Sequence, residues 1–260
     1  MGILNVTPDS FSDAGRCVGA EDACARGAEL VAEGADIVDV GGESTRPGAE
    51  PVAAAEEIRR VVPVIAALAD TVPTALVSVD TTKAAVADAA ADAGAKIVND
   101  VSAGADPAML PLVAARSLAV VLMHRRGDPQ TMQRDTAYLD VVAEVTAYLA
   151  ERAAVARAAG VPRALVFLDP GIGFGKDVDG NLRLLASLED LASLGYPVVI
   201  GASRKSFIGA LTGAPAGDRL AGSLAAAAAA AGLRRAVVRV HDVAATVQFL
   251  TVRAAVAGAA

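Results

Sequence analysis

Three acidic or amide side chains, Asp80, Asn99 and Asp169, each end a short apolar run, and together they offer acceptors for a planar donor edge. A carboxylate can grip an amide N–H and a neighbouring exocyclic amine with its two oxygens, so the chemistry they suit is recognition of a guanidine-like ring. Arg46, Arg239 and His241 supply donors suited to an anion such as a phosphate. Lys205 is followed by Ser206 at an expected helix start, where side chains and helix N–H groups together could hold a second anion. The inventory points to a ligand with two faces, a flat nitrogen-rich heterocycle at one end and a phosphate at the other.

The most informative stretch runs from Val166 through Asp169-Pro170-Gly171-Ile172-Gly173-Phe174-Gly175 to Lys176. Its apolar start, from Leu165 with no polar alternation, fits a parallel strand covered on both faces. Pro170 removes a donor and stops the ladder, which puts Asp169 at the carboxyl end of the strand. The glycines strip side chains from the next turn and let backbone approach a flat or bulky ligand. The spacing is G-x-G-x-G, with Lys176 where the dinucleotide fingerprint needs its third glycine, and no G-K-[ST] follows for a phosphate loop. On this stretch alone, Asp169 merely starting a turn is the alternative reading.

The elements that must place these groups repeat one unit. Apolar runs at 1–5, 35–40, 76–80, 96–100, 119–124, 165–168, 197–201 and 236–240 read as strands. Each is followed by a helical pattern, at 21–33, 51–70, 82–93, 107–115, 138–159, 180–194, 217–232 and 243–257. Eight β-then-α alternations are what an α/β TIM (β/α)8 barrel requires, here as one domain over 1–260; a doubly wound open sheet is the alternative, because periodicity does not show closure. In a barrel, Asn5, Asp39, Asp80, Asn99, His124, Asp169, Lys205, Arg239 and His241 fall at or just past strand carboxyl ends, the rim on which barrel enzymes carry their chemistry. Singly, each could cap a helix or sit in solvent. Their recurrence at strand ends is what suggests one shared cavity.

Composition narrows the partners. In these 260 residues, 54% are hydrophobic but only 3% aromatic and none is Trp, so the core must be built from Ala, Val, Leu and Ile. The net charge of −7 argues against a nucleic-acid or anionic-membrane surface, since either needs a dominant basic patch. Cys17 and Cys24 form no disulfide framework and give no metal spacing with the only histidines, His124 and His241. No secretory signal is legible, and the longest apolar segment, Leu220 to Leu233, is too short and too interrupted to span a bilayer. A cytoplasmic protein acting on small molecules is expected.

Five motifs, Asn5-Val6-Thr7-Pro8-Asp9-Ser10-Phe11-Ser12-Asp13, Gly41-Gly42-Glu43-Ser44-Thr45-Arg46-Pro47-Gly48, Asp169 to Lys176, Ser203-Arg204-Lys205-Ser206 and Arg239-Val240-His241-Asp242, closely resemble dihydropteroate synthase, in the same order and over essentially the whole chain. The resemblance implies an enzyme that joins 6-hydroxymethyl-7,8-dihydropterin diphosphate to p-aminobenzoate, releasing diphosphate with Mg²⁺ present. It further implies that Asp80, Asn99, Met123, Asp169, Lys205 and Arg239 hold the pterin. Thr45, Arg46, Arg239 and His241 would hold the diphosphate, Phe11, Pro47 and Ser206 the aminobenzoate, and Asn5 the metal, as the oxygen donor a hard cation prefers. A homodimer is implied as well, for which the apolar late helices offer a surface.

The arylamine is a weak nucleophile, so ionisation of the C–O bond to diphosphate is expected to dominate. Lys205 and Arg239 would favour the leaving charge, while Asp80 and Asp169 would face the cationic methylene. The two long early loops, with Gly15 and Gly48 as hinges, are expected lids against water. Ala14, Ala103 and Arg125 depart from the family pattern. A noncatalytic pterin-binding relative and a methyltetrahydrofolate-dependent corrinoid methyltransferase stay open as alternatives.

Overall fold

The computed structural model describes residues 1–7, 20–44, 48–127, 131–132 and 135–259. Eight short strands, β1 Gly2–Asn5, β2 Ile37–Gly41, β3 Leu76–Asp80, β4 Ile97–Asp100, β5 Ala119–Met123, β6 Val166–Asp169, β7 Val198–Ile200 and β8 Ala236–Val238, form one sheet in chain order. Every pairing is parallel. Just past β8, Val240 O accepts from Ile3 N at 3.0 Å and Val240 N donates to Met1 O at 2.9 Å, so the curled sheet meets its own first strand.

Helices α1 Ala20–Ala32, α2 Ala54–Thr71, α3 Ala84–Asp92, α4 Met109–Ala115 and α5 Val141–Ala158 fill the first five crossovers. After β6 come α6 Val178–Ala186 and α7 Leu188–Ala192; after β7, α8 Ser206–Thr212 and α9 Leu220–Ala227; α10 Val243–Gly258 follows β8. None of the described helices is long and apolar enough to cross a membrane.

The two faces of the sheet are covered differently. Outward residues such as Val38, Val79, Val120, Leu122, Leu168 and Ile200 are fully buried against helix residues including Leu30, Ile65, Leu68 and Leu149. Inward residues Ile97, Ala119, Val121 and Val199 form a second, smaller cluster, against which Ile37, Leu165, Phe167 and Val237 pack. Strand side chains alternate with period two. Asp39, Asn99, Met123, Asp169, Gly201 and Arg239 therefore lie two residues beyond Ile37, Ile97, Val121, Phe167, Val199 and Val237, on the same inward face. The register places Gly41 opposite Asp80, Asp80 opposite Asn99, and Met123 opposite Asp169.

Some boundaries differ from the sequence reading. The helix expected over 180–194 is two helices, because Ser187 leaves helical backbone (φ −115°, ψ 27°). The Ala-rich helix expected over 217–232 is α9 followed by a 3₁₀ turn over Ala228–Gly232, a tightening that small side chains tolerate. Leu165 belongs to a 3₁₀ turn, not to the strand. The helix expected from 138 starts at Val141, capped by Asp140, whose carboxylate accepts from the N–H groups of Val142 and Ala143.

Candidate active site

Asp39, on β2, organises its neighbours. Fully buried, its Oδ2 accepts from Asn99 Nδ2 at 2.9 Å and from Arg239 Nε at 2.6 Å. Arg239 also donates from Nη2 to Asp80 Oδ2 at 2.7 Å, bridging β2 and β3 from the far end of the chain. Among the described residues, Asp39 Oδ1 has no hydrogen-bond partner. Asp80, Asn99, Val101, Met123, Asp169, Phe174, Gly201, Lys205 and Arg239 line one narrow cavity, about 20 Å³ with Arg239 held in this bridge.

An adjoining cavity of about 160 Å³ shares Asp80 and Val101 and adds Glu43, Ser44, Glu57, Thr81, Thr82 and Arg125. Glu57 is fully buried in the first turn of α2 and accepts from Lys83 Nζ at 2.6 Å; Lys83 also pairs with Glu43, and Arg60 donates to Gly42 O at 2.9 Å. Burial alone would lower the Lys83 pKa, but the two glutamates more than offset it and raise it. These bonds tether the base of the loop after β2.

The turn after β6 depends on its glycines. Gly171 has φ +67°, and a Cβ there would lie 1.8 Å from His124 O. With no side chain, the turn packs directly on the end of β5, and Gly171 N donates to Asp169 Oδ1 at 2.7 Å. Gly173 (φ +83°) leaves room for Lys205, whose Nζ lies 3.8 Å from the centre of the Phe174 ring.

Burial sets the electrostatics. It pushes the Asp80 carboxyl up to about 7, with Asp39, Glu57 and Asp100 adding and Arg239 opposing. Asp169 is also raised by burial, against the pull of Gly171 N–H, Lys205, Arg239 and Lys176. Burial pushes Lys205 down to about 7, against Asp169. Burial would likewise lower Arg239, but Asp39 and Asp80 outweigh it, and the guanidinium stays charged. A site of this kind binds polar ligands strongly, because its donors and acceptors are already desolvated.

Of the residues singled out in sequence, Asp80, Asn99, Met123, Asp169, Lys205 and Arg239 meet around the narrow cavity. Asn5 ends β1 beside them: a Cβ on Gly41 would lie 3.7 Å from Asn5 Oδ1 and 3.8 Å from Asp80 Oδ2. His241 stands to one side, with Nδ1 3.0 Å from Ser203 Oγ. Ser206 is the first residue of α8 and Lys205 the residue before it. Phe11, Thr45, Arg46 and Pro47 lie outside the described residues, as do Ala14 and Gly15.

His124 corrects the expectation that all the rim residues face one cavity. Its buried ring packs edge-on against Tyr148 and bonds Lys176 Nζ, because His124 follows the inward-facing Met123 and so takes the opposite, outward parity of Leu122. Asp100 likewise serves its own loop, accepting from Ser102 N and Gly104 N at 2.7 Å each. Ala103 in that loop is buried with φ +56°, and its carbonyl accepts from Arg152 Nε at 2.8 Å.

Sequence reasoning missed the bridging role of Asp39, for which a shared inward parity with Asn99 and Arg239 was the available signal. It also assigned no role to Phe174 and Glu43, though both stand inside motifs it singled out, and it missed Glu57 and Lys83, which no local pattern marks.

Comparison with known proteins accords with this geometry. The family described as pterin binding enzyme matches residues 1–241. The dihydropteroate synthase of Escherichia coli K12 is 45% identical over 97% of this chain and 89% of that protein. A probable bifunctional folylpolyglutamate synthase/dihydropteroate synthase of Haloferax volcanii is 48% identical over 94% of this chain, which spans 29% of it. The solved dihydropteroate synthase of Xanthomonas albilineans with 4-aminobenzoic acid superposes with a TM-score of 0.91 at 50% identity, covering 98% of this chain and 91% of that one. That of Yersinia pestis with a sulfonamide drug gives a TM-score of 0.93 at 41% identity, covering 99% and 93%. Likeness of this extent, joined to motifs that converge on one cavity, means that the chain belongs to the pterin-binding enzymes, among the dihydropteroate synthases.

Proposed function

We propose that this chain condenses 6-hydroxymethyl-7,8-dihydropterin diphosphate with p-aminobenzoate to give 7,8-dihydropteroate and diphosphate. The observation that carries the reading is the convergence of Asp80, Asn99, Asp169, Lys205 and Arg239 on one buried cavity. The sheet, joined end to end by the Val240 bonds, is read as a closed (β/α)8 barrel and a single domain.

The carboxylates of Asp80 and Asp169 and the amide of Asn99 suit the donor edge of the pterin, with Met123 against its face. In the narrow cavity Arg239 occupies Asp80, so ring entry requires the guanidinium to swing off Asp80 and lie over the heterocycle. The C–O bond then breaks and diphosphate leaves with the electron pair. The arylamine nitrogen bonds to the methylene carbon and loses a proton. Asp80 and Asp169 face the positive charge that develops on the pterin, and Lys205, Arg239 and His241 balance the leaving anion. The binding of diphosphate by Thr45 and Arg46, and of aminobenzoate by Phe11, Pro47 and Ser206, extends the family resemblance to the loops after β1 and β2 and to α8.

Among the described residues, no group of three or more His, Cys, Asp or Glu side chains could hold a metal. Asn5 Oδ1 is a hard oxygen donor close to Asp80, which suits an Mg²⁺ that keeps most of its shell from water and substrate phosphate oxygens. When bound, that ion would neutralise diphosphate charge. For the homodimer, Val252 and Val256 on α10 and Leu220 on α9 supply exposed apolar side chains.

Product formation from the two substrates, followed with and without Mg²⁺ and with and without p-aminobenzoate, tests the reading. Aminobenzoate-dependent diphosphate release together with dihydropteroate is the expected result. Pterin binding without turnover would make the chain a noncatalytic relative, and methyl transfer to a corrinoid would overturn the assignment.

A further inference from the structure

Lys176 closes the turn after β6, and no role described above uses it. The residue is 3% exposed. Its Nζ donates to Gly171 O and Phe174 O, both at 2.9 Å, and lies 3.0 Å from His124 Nδ1 and 3.3 Å from His124 O. An ammonium has three protons for these four acceptors, so the longest contact shares one. Nδ1 of His124 must then accept, which requires a neutral ring; burial, with Lys176 and Arg126, holds that imidazole down to about 3.

Burying an ammonium is costly unless its bonds are all made. Here each bonded residue of the turn also touches a cavity group. Gly171 accepts from Lys176 through its carbonyl and donates to Asp169 through its N–H. Phe174 accepts from Lys176 through its carbonyl and lays its ring against Lys205. Asn181 secures the middle, accepting from Gly173 N at 2.6 Å and donating to Lys176 O at 3.3 Å.

We propose that Lys176 is a positioning residue for pterin recognition, an internal ammonium that braces the glycine turn and thereby sets the Asp169 carboxylate and the Lys205 ammonium at their places in the cavity. The proposal rests on the reading of Asp169 and Lys205 as pterin contacts. Lys176 also acts through charge. The groups facing Asp169 are Gly171 N–H, Lys205, Arg239 and Lys176, all of which hold its pKa down against burial. Those facing Lys176 are Asp169, Lys205, Arg126 and the His124 ring, with Tyr138 and Tyr148 behind that ring; burial pushes Lys176 itself down to about 7, against Asp169, so it is an ammonium on the acid side of that value, where the effect is read. Removing the Lys176 charge therefore raises Asp169 further, and the acid limb of pterin binding moves to higher pH.

Calorimetric titration of Lys176→Met with dihydropterin diphosphate across pH, beside Asp169→Asn and Lys205→Met, tests this. The folded Lys176→Met protein is expected to bind about tenfold or more weakly, the scale seen when a supporting partner of a binding residue is lost. Its acid limb should lie at higher pH, and its KM for p-aminobenzoate should be unchanged. Lower thermal stability with wild-type pterin affinity and an unmoved acid limb would leave Lys176 merely structural and overturn the proposal. Normal binding by Asp169→Asn and Lys205→Met would instead overturn the site reading beneath it. Should Lys176→Met not fold, Asn181→Ala unties Gly173 and keeps the ammonium. Weaker pterin binding with an unmoved acid limb is then expected, and unchanged binding overturns the brace.

Discussion

Arg239 donates to Asp80 across 159 residues of chain, at 2.7 Å, and so ties the last strand of the sheet to the third. This pair joins a guanidinium that stays charged at any working pH to a carboxylate whose ionisation burial opposes. The site is therefore held together by charges that a ligand must rearrange.

Replacing Asp80 with Asn keeps the shape and one acceptor but removes the charge. The fold should persist, and turnover should drop about a hundredfold or more, the usual loss on removing one preorganised electrostatic stabiliser. Steady-state kinetics beside a circular dichroism spectrum checks this, and near-normal turnover would refute the role.

Asp39→Ala removes the shared acceptor of Asn99 and Arg239. Asn99 Nδ2 and Arg239 Nε lose their acceptor while Arg239 keeps Asp80, and the loss should be about 2 kcal/mol, the cost of leaving buried donors unsatisfied. Urea unfolding measures it; a loss under about 1 kcal/mol would mean that water or a neighbour takes over.

The pH dependence has a defined sign. The Asp80 carboxyl is raised from 3.8 to about 7 in the folded protein, so the folded state binds the extra proton between those values. Stability from this group is complete below about pH 4 and falls as pH rises towards 7. Relative to Asp80→Asn, the wild-type protein should lose stability over that window, which paired melts at pH 4.5 and 7.5 would reveal. For activity, Asp80 must ionise while Lys205, pushed down to about 7, must keep its proton. A bell-shaped kcat/KM profile centred near pH 7 follows, and its alkaline limb should move up in Lys205→Arg.

Gly171→Ala forces a methyl group to within 1.8 Å of His124 O at a left-handed φ. Strain and overpacking together should cost about 3 kcal/mol or more. Pterin affinity should fall with stability, since relieving the clash shifts the turn and pulls the N–H of residue 171 away from Asp169. Chemical denaturation and calorimetry on the same preparation test the two effects together.

How much of this was legible in the chain varies from residue to residue. The apolar run before Asp169 and the glycines after it were readable, because burial on both faces and positive φ are local demands that residue types must meet. The same holds for the eightfold alternation and for Asp80, Asn99 and Arg239 ending or following strands. The split at Ser187 was not readable, since a serine sits equally well within a helix and at its end.

Residue types and their period-two spacing alone determined that polar groups would crowd the carboxyl ends of parallel strands, because strand geometry sends alternate side chains to the same face. Only the tertiary structure decided which of them meet. Asp39 reaches Asn99 and Arg239 from 60 and 200 residues away, and His124, at an equivalent strand end, turns to Lys176 instead. Those outcomes depend on register, on the curl that brings the last strand to the first, and on a glycine turn pressing against β5. Each is a property of packed backbone that no window of sequence contains.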